Sequence, residues 1–282
     1  MESAAENILR KPPVIIEPTK GFFQLDLAAI WQYRELLYFL VWRDVLVRYK
    51  QTVIGVCWAV LQPLITMLIF TIVFSHFASI PSDGKPYPVF AFAALLPWIC
   101  FSQALQRSGS SLVGSANLIT KIYFPRLLIP LAASVSPVVD LFFSFIVLLA
   151  MMFWYGIVPT WGLLALPLFV VLSMLSALSV GLWLTTLNVK YRDVGHIIPF
   201  LVQVWMYASP VAYPVSIVPE KWRLLYSLNP MVGVIEGFRW AILGAERPDW
   251  TVMMVSSSVV VVLFVSGLVY FKRMEQTFAD VI

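Results

Sequence analysis

Few residues in this chain could carry covalent or acid–base chemistry, and their spacing argues against an active site. His76 and His196 are the two histidines, and they stand far apart in a strongly apolar sequence. There is no HExxH pair, GxSxG elbow or GxxxxGK[ST] loop, so zinc-protease, serine-hydrolase and P-loop ATPase chemistry all lack their residues. No catalytic set and no metal-ligand set is therefore expected. Cys57 and Cys100 both lie in apolar runs, where a thiol acts as a small hydrophobe. One acid stands out: Asp140, in PVVDLFFSF, near the middle of an apolar run. An ionised Asp at the centre of a membrane helix costs roughly 2.5–3.5 kcal/mol on insertion scales, so it must face protein, take a proton or find a partner. Ion or proton coupling is one reading, and a structural hydrogen bond between helices is the other. Proton-driven transport normally uses more than one such acid, which favours the structural reading.

Aromatic residues offer a different chemistry. Phe70, Phe74 and Phe77 recur at i, i+4 and i+7, so they share one helix face above Pro63 and Thr66. Gln203, Trp205, Tyr207 and Tyr213 mix polar and aromatic character close to Pro210 and Pro214. Aromatic faces beside hydroxyls suit sugar rings, whose C–H faces stack while their hydroxyls hydrogen-bond. The same residues also suit helix packing and an interfacial aromatic belt, so both readings stand on spacing alone.

The elements that position these residues are membrane helices. The chain is 60% apolar and 12% charged, against roughly 25% charged in a soluble domain. An all-α integral membrane protein is expected, with six spans: Val53 to Phe77, Tyr87 to Phe101, Leu127 to Trp154, Leu163 to Leu187, Ile197 to Val215 and Val252 to Phe271. Each holds enough apolar residues for a span or nearly so, at about 20 per crossing. Pro63 should kink the first span, because it lacks an N–H and crowds the preceding turn. Residues 1–25 read as a polar cytoplasmic arm without a signal-peptide core, so insertion depends on the internal spans. Residues 26–52 read as an amphipathic helix lying in the interface, since Leu27, Ile30, Trp31, Leu37 and Phe39 are mixed with Asp26, Arg34 and Glu35. A plain surface helix is the alternative. Residues 53–273 form the six-span domain, and 274–282 a cytoplasmic tail.

Charge fixes the orientation. With the N-terminus inside, fourteen Lys and Arg fall in the cytoplasm and five (Lys85, Lys221, Arg223, Arg239, Arg247) outside, as the positive-inside rule requires. Both termini are then cytoplasmic. The net charge of +4 is spread along span ends and makes no nucleic-acid patch. The loop after the second span is cytoplasmic, with Leu112, Leu118, Ile119 and Ile122 available for one apolar face of a short helix. NVKYRDVGH is also cytoplasmic. The connection from Ser216 to Trp250 is external and too long for a turn. Two short helices are expected there, one starting near Pro219 and one carrying Val232, Ile235, Phe238 and Ile242, separated by Asn229-Pro230. They either dip back toward the membrane or form a surface cap.

Several segments also resemble one family. They are RDVLVRYKQTVIGVCWAVLQPL from Arg43 to Leu64, LPWICF from Leu96 to Phe101 and NLITKIYFPRLLIP from Asn117 to Pro130. NVKYRDV from Asn188 to Val194, SPVAYP from Ser209 to Pro214 and LNPM from Leu228 to Met231 follow. Their order along about residues 25 to 273 is similar to that in membrane subunits of type-2 ABC exporters of bacterial polysaccharides (O-antigen, capsule, teichoic acid), the O-antigen branch above all. The resemblance implies a homodimeric inner-membrane permease with two copies of a separate ATPase subunit. ATP and Mg would sit on that partner, with no cofactor on this chain. It implies ATPase coupling at Ser110, Asn117, Lys121, Tyr123, Tyr191, Arg192 and Asp193. It implies an external gate at Pro219, Trp222, Tyr226, Asn229, Glu236 and Arg239. It also implies a lipid-linked polysaccharide passing through a channel lined by Phe70, Phe74, Phe77, Trp205, Tyr207 and Tyr213. Rival readings are an exporter of the same type for another substrate, an ATPase-independent secondary transporter, and a membrane-embedded enzyme.

Overall fold

A computed structural model describes residues 27–50, 55–245, 249–275 and 277–278. The expected N-terminal arm, the first residues of the first span and the end of the tail lie outside them. The described residues form α1 (Leu27–Gln32), α2 (Arg34–Tyr49), α3 (Gly55–Phe70, continued by a π-helical stretch Thr71–Phe77), α4 (Tyr87–Gly114), α5 (Ala116–Lys121) and α6 (Leu128–Val135). Then come α7 (Val138–Trp154), a 3-10 turn at Trp161–Ala165, α8 (Leu166–Lys190), α9 (Val194–Tyr207), α10 (Glu220–Tyr226), α11 (Pro230–Leu243) and α12 (Trp250–Glu275).

Five segments are long and apolar enough to cross a bilayer: Cys57–Phe77, Tyr87–Gly114, Leu128–Trp154, Trp161–Lys190 and Trp250–Glu275. The protein is a multi-pass membrane protein. Its hub is α4, which is 83% buried across its apolar window while the other four windows are 22–39% buried. It packs against α3, α6, α7, α8, α9 and α11. The surrounding helices turn leucines, valines and phenylalanines outward, where lipid rather than water receives them.

Small residues let the helices approach. A Cβ on Gly181 would fall 1.9 Å from the Ser108 hydroxyl, which sets α8 directly on α4. A Cβ on Gly267 would lie 2.8 Å from the Ser179 carbonyl oxygen, on the α8 backbone itself. Such close approach supports packing where lipid offers no hydrophobic drive. Buried hydroxyls of α8 bond to their own helix, Ser176 to the Leu172 carbonyl at 2.7 Å and Thr186 to the Leu182 carbonyl at 2.7 Å, or across to α4, where Ser173 donates to the Pro97 carbonyl at 3.2 Å. They add no unsatisfied polar group at membrane depth. Gly267→Ala should cost about 1–3 kcal/mol, because the clash is with backbone that has no rotamer to change. Loss of the monodisperse species on heating in detergent, at a lower temperature than wild type, would show it.

The fold corrects four boundary expectations. The second span does not end at Phe101; α4 runs on to Gly114, because no proline follows Pro97 until Pro125 and Ser108, Ser110 and Ser111 bond to carbonyls of their own helix. The third span is two helices, broken at Ser136-Pro137. The fifth span stops as a helix at Tyr207, since Pro210 and Pro214 remove donors from the continuation. Its 14 residues reach only about 21 Å at 1.5 Å each. The short helix expected in the loop after the second span carries Leu118 and Ile119, whereas Leu112 belongs to α4 and Ile122 lies beyond α5, 56% exposed.

Both helices expected after Ser216 are present as α10 and α11. α11 is no surface cap: Val232, Ile235, Phe238 and Ile242 are each at most 1% exposed, and the last three sit in the main core.

Candidate functional site

At one end of the bundle the tips of α4, α5 and α8 come together. Asn188 joins them. Its amide donates to the Gly109 carbonyl on α4 at 3.2 Å, and its carbonyl oxygen accepts from the Gly195 N–H at the start of α9, at 3.1 Å. Ser111 on α4 meets Thr185 on α8 at 3.5 Å. Phe124 and Ile119 are buried beneath the α4–α6 connection, and Arg126 bonds to the backbone and carboxylate of Glu275 on α12. On this anchored base all seven residues expected to couple to a partner are exposed: Ser110, Asn117, Lys121, Tyr123, Tyr191, Arg192 and Asp193. Asp193 opens α9 without a side-chain cap bond, and the Lys190 ammonium lies 5.2 Å from the Tyr191 ring centroid. The surface is polar, aromatic and backed by a fixed core, which suits protein docking.

The segments that follow α9 build a second region. Asn229 is its keystone. Its amide donates to the Ala208 carbonyl at 3.1 Å and the Ser209 hydroxyl at 2.9 Å. Its side-chain oxygen accepts from the Trp205 indole at 2.9 Å and caps α11 through the Met231 N–H at 3.0 Å. The Tyr213 hydroxyl lies 3.0 Å from the Tyr226 hydroxyl and bonds to the Tyr207 carbonyl. Trp205, Trp222, Tyr226 and Asn229 line an open groove of about 360 Å³. Pro219 precedes α10, where the sequence placed a helix start.

Two of the expected gate residues turn inward. Arg239 is 3% exposed; it donates to the Val211 and Tyr213 carbonyls and to Glu236, and lies 3.6 Å from the Phe90 ring centroid. It braces the SPVAYP turn. Trp222, in contrast, is 53% exposed.

The six aromatics proposed for a channel do not share one surface. Phe70 is 7% exposed and meets Phe74 edge-on at 5.1 Å in the core, while Phe77 is 77% exposed. Trp205 is half-buried, edge-on to Phe101 at 5.1 Å; Tyr213 is half-buried and Tyr207 61% exposed. Phe77 and Tyr207 are the two open to an outside ligand.

Asp140 sits in the first turn of α7, just after the Ser136-Pro137 break, and is 3% exposed. It is paired rather than isolated. Arg48 forms an ion pair with it, and the Tyr49 hydroxyl donates to it. Burial and this bond hold the Tyr49 phenol above its ordinary range, so it remains a donor. Arg48 also donates to Gln103 at 2.9 Å, and Arg107 to Ser136 at 2.9 Å. An acid with this escort is a structural joint. Sequence reasoning singled out Asp140; nothing in the spacing linked it to Arg48 or Tyr49. Asn188 and Ser144 went unmarked.

Comparison with known proteins fits this arrangement. Residues 35–243 match the family described as ABC-2 type transporter. The chain is 31% identical over 253 residues to the O-antigen export system permease protein RfbA of Myxococcus xanthus, covering 89% of this chain and 96% of that one. It is 25% identical to the RfbA of Klebsiella pneumoniae, over 88% of this chain and 95% of that one. It is 22% identical to the polysialic acid transport protein KpsM of Escherichia coli, over 83% and 91%. Family match and multi-pass helical fold agree: the chain belongs to the ABC-2 type transporter family.

Proposed function

We propose that this chain is the membrane subunit of an exporter that moves a lipid-linked polysaccharide, of the O-antigen kind, out of the cytoplasm. The observation that carries this reading is the 31% identity across nearly the whole length of an O-antigen export permease. Two copies of the chain would form the passage. The outward apolar face of α3, with Trp58, Ile65, Leu68, Ile69 and Ile72 all at least 42% exposed, is a surface on which a second copy could pack. A separate ATPase subunit would dock on the end bearing Lys121, Tyr123 and Arg192, and ATP with Mg would be hydrolysed there. The end with the last turn of α9, α10 and α11 would then face outward. The Ala208–Pro214 turn would complete the fifth of six crossings, keeping both termini inside. Pro63 would kink α3, which would change the shape of the passage as the docking end moves.

Deleting the gene should leave lipid-linked polymer inside the cell and strip it from the surface, and wild-type chain should restore it. Surface polymer unchanged by the deletion would refute the proposal. The likeness to a polysialic acid transport protein supports a second reading, a capsule-type polymer as cargo. Chemical typing of the retained polymer separates the two.

A further inference from the structure

Asp140 and Ser144 lie one turn apart on α7; Asp140 reaches the end of α2 and Ser144 reaches α3. Asp140 takes Arg48 and the Tyr49 hydroxyl from the last turn of α2. Ser144 donates to the Ala59 carbonyl of α3 at 3.1 Å. Ala59 precedes Pro63 by four residues, so its carbonyl is the one that a proline N–H cannot serve. Ser144 supplies the missing donor. Residues i and i+4 share a helix face, so one face of α7 grips both α2 and α3. Between the two grips lies a cavity lined by Pro63, Cys100, Gln103, Pro137, Asp140 and Ser144.

We infer that Asp140 and Ser144 form a two-point clamp by which α7 holds the end of α2 and the Pro63 turn of α3, so that α2, α3 and α7 move as one body. Both are positioning residues. The ion pair fixes the end of α2, where two hydrogen-bonding partners and a full charge define one geometry. The serine bond fixes α3 at Pro63, where the proline has left a backbone acceptor that otherwise stays unpaired at membrane depth. Any movement of the α6–α7 break then reaches α3 directly. The consequence for export rests on the function proposed above, but the clamp itself does not, and its test needs no transport.

The chain carries its own reporter. Cys100 is 2% exposed and lines the cavity between the grips, whereas Cys57 is exposed. In the full-length chain with Cys57→Ser, in native membranes, N-ethylmaleimide should modify Cys100 slowly. Ser144→Ala and Arg48→Gln should each speed this by about 10-fold, the change in local opening expected from losing one buried polar contact. Ser144→Thr keeps the hydroxyl and should stay within about twofold of the parent. Asp140→Asn should match Arg48→Gln, and the two together should be no faster than either alone, because both remove the same contact. Unchanged rates in Ser144→Ala and Arg48→Gln, or rates that multiply in the Asp140 and Arg48 pair, would overturn the clamp. If Asp140→Asn fails to accumulate, Ser144→Ala against Ser144→Thr still decides, since the two differ in keeping or losing the single bond to Ala59.

Discussion

Asn229→Ala is expected to destabilise the chain by about 1–3 kcal/mol, the cost of leaving a buried group without its partner. The substitution strips partners from the Trp205 indole, the Met231 N–H, the Ala208 carbonyl and the Ser209 hydroxyl at once. Three of these groups belong to the end of α9 and the turn after it, and the fourth starts α11. One residue thus fastens a helix that stops short to a helix that is almost wholly buried. Thermal unfolding in detergent, followed by the fraction of chain remaining monodisperse, would show a large downward shift. A midpoint within about one degree of wild type would mean that the network is not needed, since even 1 kcal/mol moves a domain of this size by about 2–4 °C.

The second large effect is expected at the docking end and should leave stability alone. Replacing Arg192 and Asp193 together with Ala should cut export at least about 10-fold, the result of losing roughly 1.4 kcal/mol at a contact with a partner. Both residues are exposed, so chain abundance and unfolding temperature should match wild type. The turn that carries them is held from below by Asn188, whose bonds to Gly109 and Gly195 the double replacement leaves in place. Surface polymer measured against chain abundance separates a docking defect from a folding defect. Export at the wild-type level would move the docking site away from this turn.

The long elements of the fold were legible because bilayer chemistry writes them as continuous apolar runs. Pro219 and Asn229-Pro230 also marked α10 and α11 correctly, since a proline at a helix start and an Asn cap act locally. Errors came where local and tertiary signals part. The polar stretch from Ser102 to Gly114 reads as loop, yet it continues α4 because serine hydroxyls can satisfy their own helix. Pro210 and Pro214 cut the fifth run short of a full crossing. Asp140 was legible as a residue needing a partner, but Tyr49 lies 91 positions away and Ala59 lies 85 from Ser144, distances over which no periodicity carries information. The aromatic stripe at Phe70, Phe74 and Phe77 shared a helical face in sequence, but a π-helical stretch begins at Thr71. The wider turn there sends Phe70 to the core and leaves Phe77 outside.

The central claim is that this chain passes a polysaccharide only when an ATPase partner drives it. Inside-out membrane vesicles containing the chain and its ATPase subunit, given lipid-linked polysaccharide, measure this directly through the polymer that becomes protected from an added glycosidase. Protection that appears with ATP, and is lost when the ATP, the partner or this chain is left out, is the predicted result. Protection that persists without ATP or without the chain would contradict it.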